Sequence, residues 1–478
     1  MEDATPSTMR RDIVSAYVAI GAKVAAWAIV SAVVFTRGGD EQFALLTLVR
    51  STLGLLAFVV LGIGPAMVRL VSEASEVTTV APSERSYPEP KTRVLSYASP
   101  RPRSVLNEDP ATTVYVNGLL LVAICAAVGV YLVDWYGEHY GTFYRTSGYV
   151  DARYAAGFIF ALGFGLMMRL ISDACGALLQ VRGYIWLDNL LLAGAELSWP
   201  IFTWMAFDPS VSSQTANNAA GAFAVSGVLL LLLRSFAAGV ANGLFVWRPA
   251  PIRVSIMWAL LSYGALVTAA QLADFLYAPT DFILINRLLT AVDASNYAPA
   301  VQIDSALLLL VGAIATVLLP KTAVAHARNQ ISLIRQYYLR ATLISTLILS
   351  AAAISVWMMS PLIFRLWLDN PMYATRAILP LLLIHTVVGG SSAVGRSILL
   401  GMGKVKPFTI SVLIAGVSNV ILSYIFVRYF DLGLRGIVFG TIIAVVGRCA
   451  IWMPWYVIRT LRAEARRSGP ALARSGPA

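Results

Sequence analysis

Six cations and six carboxylates interrupt stretches that are otherwise apolar: Lys23, Arg50, Arg169, Arg234, Arg396 and Arg448 against Asp173, Asp188, Glu196, Asp274, Asp281 and Asp304. An ionised side chain at the centre of a bilayer costs about 2.5–3.5 kcal/mol on insertion scales, so such residues face a polar cavity or a partner. Guanidinium groups match phosphate oxygens through two parallel N–H bonds, and an intramembrane carboxylate can carry a proton or a sodium ion. The set predicts a wet lumen with anion-binding cations and candidate coupling acids.

Within it, Arg234 and Arg448 form the most informative pair. Aligning Gly227 with Gly440 brings the two arginines within one residue of equivalent positions, each deep in the last span of its half. A pseudo-twofold axis would set them on opposite walls of one cavity, where they would bind a phosphate; the alternative is that each caps carbonyls or snorkels to an interface. Arg169 is a further binding candidate, but its i, i+4 spacing to Asp173 favours a self-neutralising pair. Lys23 and Arg50 could guide an anion through the lumen or pair with acids across it. Arg396, close to a span end, reads as an anchor. Asp274 and Asp281, seven residues apart, share a face if the helix continues through Pro279; they are the coupling-ion candidates. Their alternative is a salt bridge, such as Asp281 to Arg287 or Asp304 to Arg50. Between residues 135 and 154, Trp135, Tyr136, Tyr140, Phe143, Tyr144, Tyr149 and Tyr154 read as an interfacial belt in preference to a sugar-stacking surface.

The elements that must position these groups follow from composition. The chain has 478 residues, 58% hydrophobic and 13% charged, with mean hydropathy +0.72, which excludes a soluble domain. At about 20 residues per crossing it holds on the order of a dozen spans. They are predicted at 13–35, 43–71, 113–133, 154–179, 185–207, 218–245, 254–290, 297–325, 336–362, 374–400, 409–429 and 433–458. The first apolar run is too long and lacks the small-residue site of a removable signal peptide. The seventh is overlong for one crossing and is expected to bend or end near Pro279.

With the N-terminus inside, the cytoplasmic segments hold 22 Lys and Arg against 8 in the outer ones, so both termini are predicted to be cytoplasmic in a multi-pass plasma (inner) membrane protein. The same distribution accounts for the net charge of +11 without nucleic acid. Residues 72–112 are rich in Pro, Ser and Glu and are expected to form a disordered cytoplasmic loop. Residues 459–478 read as a basic cytoplasmic tail able to lie on anionic headgroups. Cys125, Cys175 and Cys449 sit apart in apolar runs and imply neither disulfide nor zinc.

An internal repeat supports two lobes. Phe43 opens the second span with Pro65 following 22 residues later, and Tyr297 opens the eighth with Pro320 after 23. Leu178-Leu179 to Gly194 resembles Leu399-Leu400 to Gly416, and the fifth and eleventh spans run to Phe207-Asp208 and Phe430-Asp431. Six spans per half give both halves one orientation, related by an axis along the membrane normal. The expected units are residues 1–245, 246–458 and the tail.

The segments Asp293-Ala-Ser-Asn-Tyr297-Ala with Pro320, Gly401-Met-Gly-Lys404, and Gly433-Leu-Arg435-Gly436-Ile437 leading to Gly440-Thr441 carry a family resemblance. The chain resembles the polysaccharide flippase family of the multidrug, oligosaccharidyl-lipid and polysaccharide exporter superfamily. The resemblance implies an all-α, two-lobed, V-shaped alternating-access transporter that moves a polyprenyl-pyrophosphate-linked oligosaccharide from the cytoplasmic to the outer leaflet. The long loop after the second span departs from the short connection expected there.

An enzyme is disfavoured. There is no Walker A sequence, no His-Glu-x-x-His, and His139, His326 and His385 are far apart in sequence; no motif calls for a cofactor. A polysaccharide polymerase or ligase would need an acceptor-binding outer loop, whereas the longest loop here is cytoplasmic by charge. A cation-coupled multidrug antiporter of the same superfamily is the stronger rival, and a lumen dominated by acids would favour it. A scaffold would not need a dozen buried charges.

Overall fold

The computed structural model describes residues 6–54, 62–64, 66–68, 70–71, 110–143, 152–207, 214–241, 250–275, 278–327 and 330–468. Of the predicted loop, residues 72–109 lie outside the described residues, and 110–112 already belong to a helix. The helices are α1 (Pro6–Leu53), α2 (Pro110–Glu138), α3 (Ala152–Val181), α4 (Ile185–Met205), α5 (Thr215–Ala241), α6 (Val254–Phe275), α7 (Ala278–Leu288), α8 (Ala291–Ala327), α9 (Ile331–Leu368), α10 (Tyr373–Gly401), α11 (Val405–Arg428), α12 (Gly433–Val445) and α13 (Met453–Ser468). No strand occurs among the described residues.

Among the described residues eight helices are long and apolar enough to cross a membrane, counting α1 once and α12 with α13 once, so the chain is a helical polytopic membrane protein. Long runs of Leu, Val, Ile and Ala supply the apolar length, and intrahelical hydrogen bonds satisfy the backbone that lipid cannot. α1 holds two arms folded back at Gly39, whose φ of 78° is open to glycine at little cost. Other reversals use left-handed backbone at Gly183, Gly403 and Gly433, and at Asp369 and Met372 between α9 and α10.

Three sequence expectations are adjusted. The predicted span 254–290 is two helices, α6 and α7, flanking residues 276 and 277; Pro279 sits in the first turn of α7, where its missing N–H costs nothing. The predicted second span is helical as far as Leu53 in α1, and residues 55–61 lie outside the described residues. The expected tail begins as helix, since α13 runs on to Ser468.

One apolar core joins both halves of the chain at the Gly39 end, including Val30, Phe43, Phe158, Trp199, Phe282, Tyr297, Phe364 and Ile437. At the Gly403 end the core divides. Met67, Tyr115, Leu178 and Leu260 pack in one cluster, and Ile334, Ile398, Phe408 and Val457 in another. Polar contacts reinforce the joined end: Ser295 Oγ donates to Asp40 at 2.7 Å, Ser31 Oγ to Gln302 at 3.3 Å, and Trp367 Nε1 to the Ala28 carbonyl at 2.8 Å. The halves are thus sealed at one end and parted below it. At the parted end α6 stays with the first half, because Asn117 on α2 donates to the Pro251 carbonyl and accepts from the Arg253 N–H.

Candidate functional site

Below the seal, a chamber of about 600 Å³ lies between α1 and the pair α7 and α8. Its charged wall residues are Lys23 and Arg50, and no carboxylate is among its described lining residues. Trp27, one helical turn from Lys23, presents its ring to the Arg50 guanidinium at 3.6 Å from the centroid and stacks on Trp199 at 5.7 Å. Trp199 is locked in turn by its indole N–H, which donates to the Ala219 carbonyl at 2.8 Å. Arg50 is therefore held in place by aromatic faces at the chamber wall. Thr47, Ser51 and Gln302 add neutral polar groups to the wall.

A second chamber of about 390 Å³ lies within the second half, among α7, α8, α10 and α12; it shares Val301 and Ser305 with the first. Asp281 on α7 is fully buried and accepts from Tyr297 at 2.7 Å, Thr441 at 2.8 Å and Asn419 at 2.9 Å. Asp304 on α8 accepts from Thr386 at 2.5 Å and lies 3.3 Å from His385 Nδ1. Arg396 and Arg448 line the same space. Arg448 sits in a π-helical turn, Val446–Trp452, between α12 and α13; such turns re-aim side chains and recur at functional sites.

Behind the first chamber the buried charges of α3, α4 and α5 neutralise one another. Arg169 Nη1 donates to Glu196 at 2.8 Å and Nη2 to Ser226 at 2.6 Å, while the guanidinium stands over Phe223 at 4.1 Å. Arg234 Nη1 donates to Asp173 at 2.6 Å and to Ser172 at 3.1 Å, and its Nε is 2.8 Å from Asp188. Gln180 holds the other Asp188 oxygen at 2.9 Å. Gly176 leaves room where this cluster crosses α3: a Cβ there would lie 2.7 Å from Asp188 Oδ1 and 3.1 Å from Arg234 Cζ, so the ion pair would have to shift.

These contacts correct the sequence reading. Arg169 and Asp173 do not pair with each other; α4 and α5 pack close enough to α3 to give each a partner from another helix. Arg234 does not face Arg448 across a cavity: its side chain is 4% exposed and occupied by carboxylates, although Asp173 remains 54% exposed. Sequence symmetry located its depth in the span, but helix rotation turned it into the bundle. Asp281 is held by Tyr297, Asn419 and Thr441 instead of Arg287, and Asp304 by Thr386 and His385 instead of Arg50. The Asp274 side chain lies outside the described ones. Of the aromatic segment, Tyr136 shares a hydrogen bond with Thr52 at 3.0 Å and Tyr154 donates to Gln42 at 3.4 Å; residues 144–151 lie outside the described residues.

Several contributors were not singled out in the sequence: Trp27, Trp199, Asn419 and His385 as an Asp304 partner. Asn419, an amide near the middle of an apolar run, carried the one signal that spacing alone could have flagged.

A family model described as "Polysaccharide biosynthesis protein" matches residues 205–371. No curated protein sequence matches the chain. Among solved structures, an inward-facing multidrug resistance MATE family transporter of the MOP superfamily aligns at TM-score 0.74 and 16% identity, covering 95% of this chain and 100% of that one. An outward-facing structure of such a MATE family transporter aligns at 0.64 and 15% identity, covering 96% of both chains. A MOP superfamily transporter from Pyrococcus furiosus, described as having a binding pocket of reverse polarity, aligns at 0.61 and 14% identity, with 96% of both chains covered.

Proposed function

We infer from a fold shared with MOP superfamily transporters, together with the polysaccharide-biosynthesis match, that the chain is a flippase-type member of that superfamily. From this premise we propose that the protein moves a polyprenyl-pyrophosphate-linked oligosaccharide across the plasma (inner) membrane, from the cytoplasmic to the outer leaflet, for surface polysaccharide synthesis. The observation that carries the reading is the chamber between the halves, where Lys23 and Arg50 stand without a carboxylate among the described lining residues. Two fixed cations in a space of low dielectric suit a pyrophosphate, which brings its own negative charge, and would repel a cationic drug.

The Lys and Arg bias puts the parted end, with α13, on the cytoplasmic side and both termini with it. The sealed end then faces outward, so the chamber is open to a lipid-linked substrate made inside. Transport requires the seam at Asp40, Ser295 and Trp367 to part while the Gly403 end closes, with α1–α5 in one rocking unit, α7–α12 in the other, and α6 tied at the parted end to the first. Asp281 is the coupling-ion group in this reading. Its donors are all neutral, so binding a proton or sodium ion leaves no cation stranded.

The test is a liposome assay with a fluorescent polyprenyl-pyrophosphate oligosaccharide, reading label that reaches the opposite leaflet. Lys23→Ala with Arg50→Ala should lower the rate at least about a hundredfold at normal membrane abundance, the loss expected when two charge-assisted contacts of about 1.5–3 kcal/mol each disappear. Arg50→Lys should recover part of it. A full rate in the double alanine variant would reject the assignment. The rival, a cation-coupled multidrug antiporter, draws on Asp281 and Asp304 in the second chamber. It requires accumulation of a cationic dye that depends on Asp281 and ignores Lys23 and Arg50.

A further inference from the structure

A third recess, about 440 Å³, opens at the Gly403 end, away from both chambers, between the first two turns of α9 and the outer face of α13. Its polar lining is Arg335, Gln336 and Ser332 from α9 and Arg462 from α13; Leu339 and Ile458 are among its apolar walls. No carboxylate lines it among the described residues, and the first turn of α9 carries no acid. The acid on α13, Glu464, is drawn elsewhere by Lys404 at 3.2 Å. Arg335 and Arg462 are both exposed. Beneath them, Ile331, Ile334, Val457 and Leu461 pack α13 against α9, so the two arginines are carried on one rigid surface.

We propose that this recess binds the headgroup of an anionic phospholipid, its phosphodiester between Arg335 and Arg462 and its acyl chains along the apolar walls. Three observations favour a lipid. The recess pairs two cations with an apolar floor, which matches a molecule that is anionic at one end and hydrocarbon at the other. It lies where a membrane-crossing helix, α9, begins and α13 changes from apolar to basic, the level of the headgroups. On α13, Arg459 covers Trp455 at 5.1 Å, an aromatic of the kind that sits at this depth. The occupied recess would tie α13 to α9 across the second half. This inference is independent of the cargo.

The experiment is native mass spectrometry of the full chain released from nanodiscs of phosphatidylcholine with 20% phosphatidylglycerol, a composition chosen for the assay on the order used to mimic anionic leaflets. The wild type should retain phosphatidylglycerol several-fold above its share of the bilayer. Arg335→Gln with Arg462→Gln should bring retention down to that share, while the control Arg428→Gln with Arg435→Gln at the opposite end should not. A parallel melting curve in phosphatidylcholine alone should be unchanged by the first pair, which separates lost lipid from lost folding. Equal retention by wild type and the Arg335/Arg462 variant, or stabilisation of the wild type by inorganic phosphate to the same extent as by the lipid, would overturn the proposal.

Discussion

The two halves of the molecule bury their carboxylates in opposite ways. In the first half the described intramembrane acids meet arginines: buried Glu196 with Arg169, and buried Asp188 together with half-exposed Asp173 with Arg234. In the second, Asp281 is held by a tyrosine, a threonine and an asparagine, and Asp304 by a threonine and a histidine. The difference is chemical. An ion pair fixes the charge on both partners, and removing or neutralising one strands the other in a medium that cannot solvate it. A carboxylate held by neutral donors can exchange its charge with a bound proton or cation, since its partners lose at most a hydrogen bond. The first half is built as a frame behind Lys23 and Arg50; the described buried carboxylates of the second half are held by hydroxyl, amide and imidazole groups.

The largest effect should come from breaking the frame. Glu196→Ala leaves the Arg169 guanidinium buried without its partner, and a loss of about 3–5 kcal/mol is expected, read as reduced membrane abundance and a lower melting temperature in nanodiscs. Arg234→Ala, which leaves buried Asp188 with Gln180 alone while Asp173 stays in contact with solvent, should fall at the lower end of that range. If either variant melts like the wild type, the frame is not what holds α3, α4 and α5 together.

Asp281→Asn puts the comparison to its opposite test. The amide keeps the shape and most of the hydrogen bonding, so stability should change by no more than about 1 kcal/mol. Dependence of transport on an imposed proton or sodium gradient should vanish all the same. Retained gradient dependence would move the coupling role away from Asp281.

The smallest expected effect concerns the seam between the halves. Ser295→Ala removes a hydrogen bond to the Asp40 carboxylate, worth about 0.5 kcal/mol because that carboxylate is exposed to solvent, without creating a large cavity. Spin labels on α1 and α8 near the Gly39 end should report a larger fraction of molecules parted there, with melting almost unchanged. An unaltered distance distribution would mean that the apolar core alone keeps that end shut.

Much of this architecture was legible in the amino-acid order. Hydropathy marked the apolar runs, the overlong run ahead of Pro279 announced the break between α6 and α7, and charges inside apolar stretches pointed to a polar interior. The cost of a lone intramembrane charge makes that last inference reliable whichever way the helices turn. Lys23 and Arg50 were legible as lumen candidates for the same reason, and both line the first chamber.

Partner choice was beyond reach of the sequence. The i, i+4 rule correctly puts Arg169 and Asp173 on one face of α3, yet it says nothing about which helix packs over that face. Glu196 and Arg234 approach from α4 and α5 and take one each. The repeat set Arg234 and Arg448 at matched depths, but depth along a helix and direction around it are separate coordinates, and at about 100° per residue an offset of one position turns a side chain from lumen to bundle. Sequence alone determined that this chain crosses a membrane many times and carries charge inside it. Only the packing of α3, α4 and α5 decided which charges are spent on one another, and which, as Lys23 and Arg50, are left facing a chamber, because ion pairs between helices form by proximity in space and leave no periodic trace along the chain.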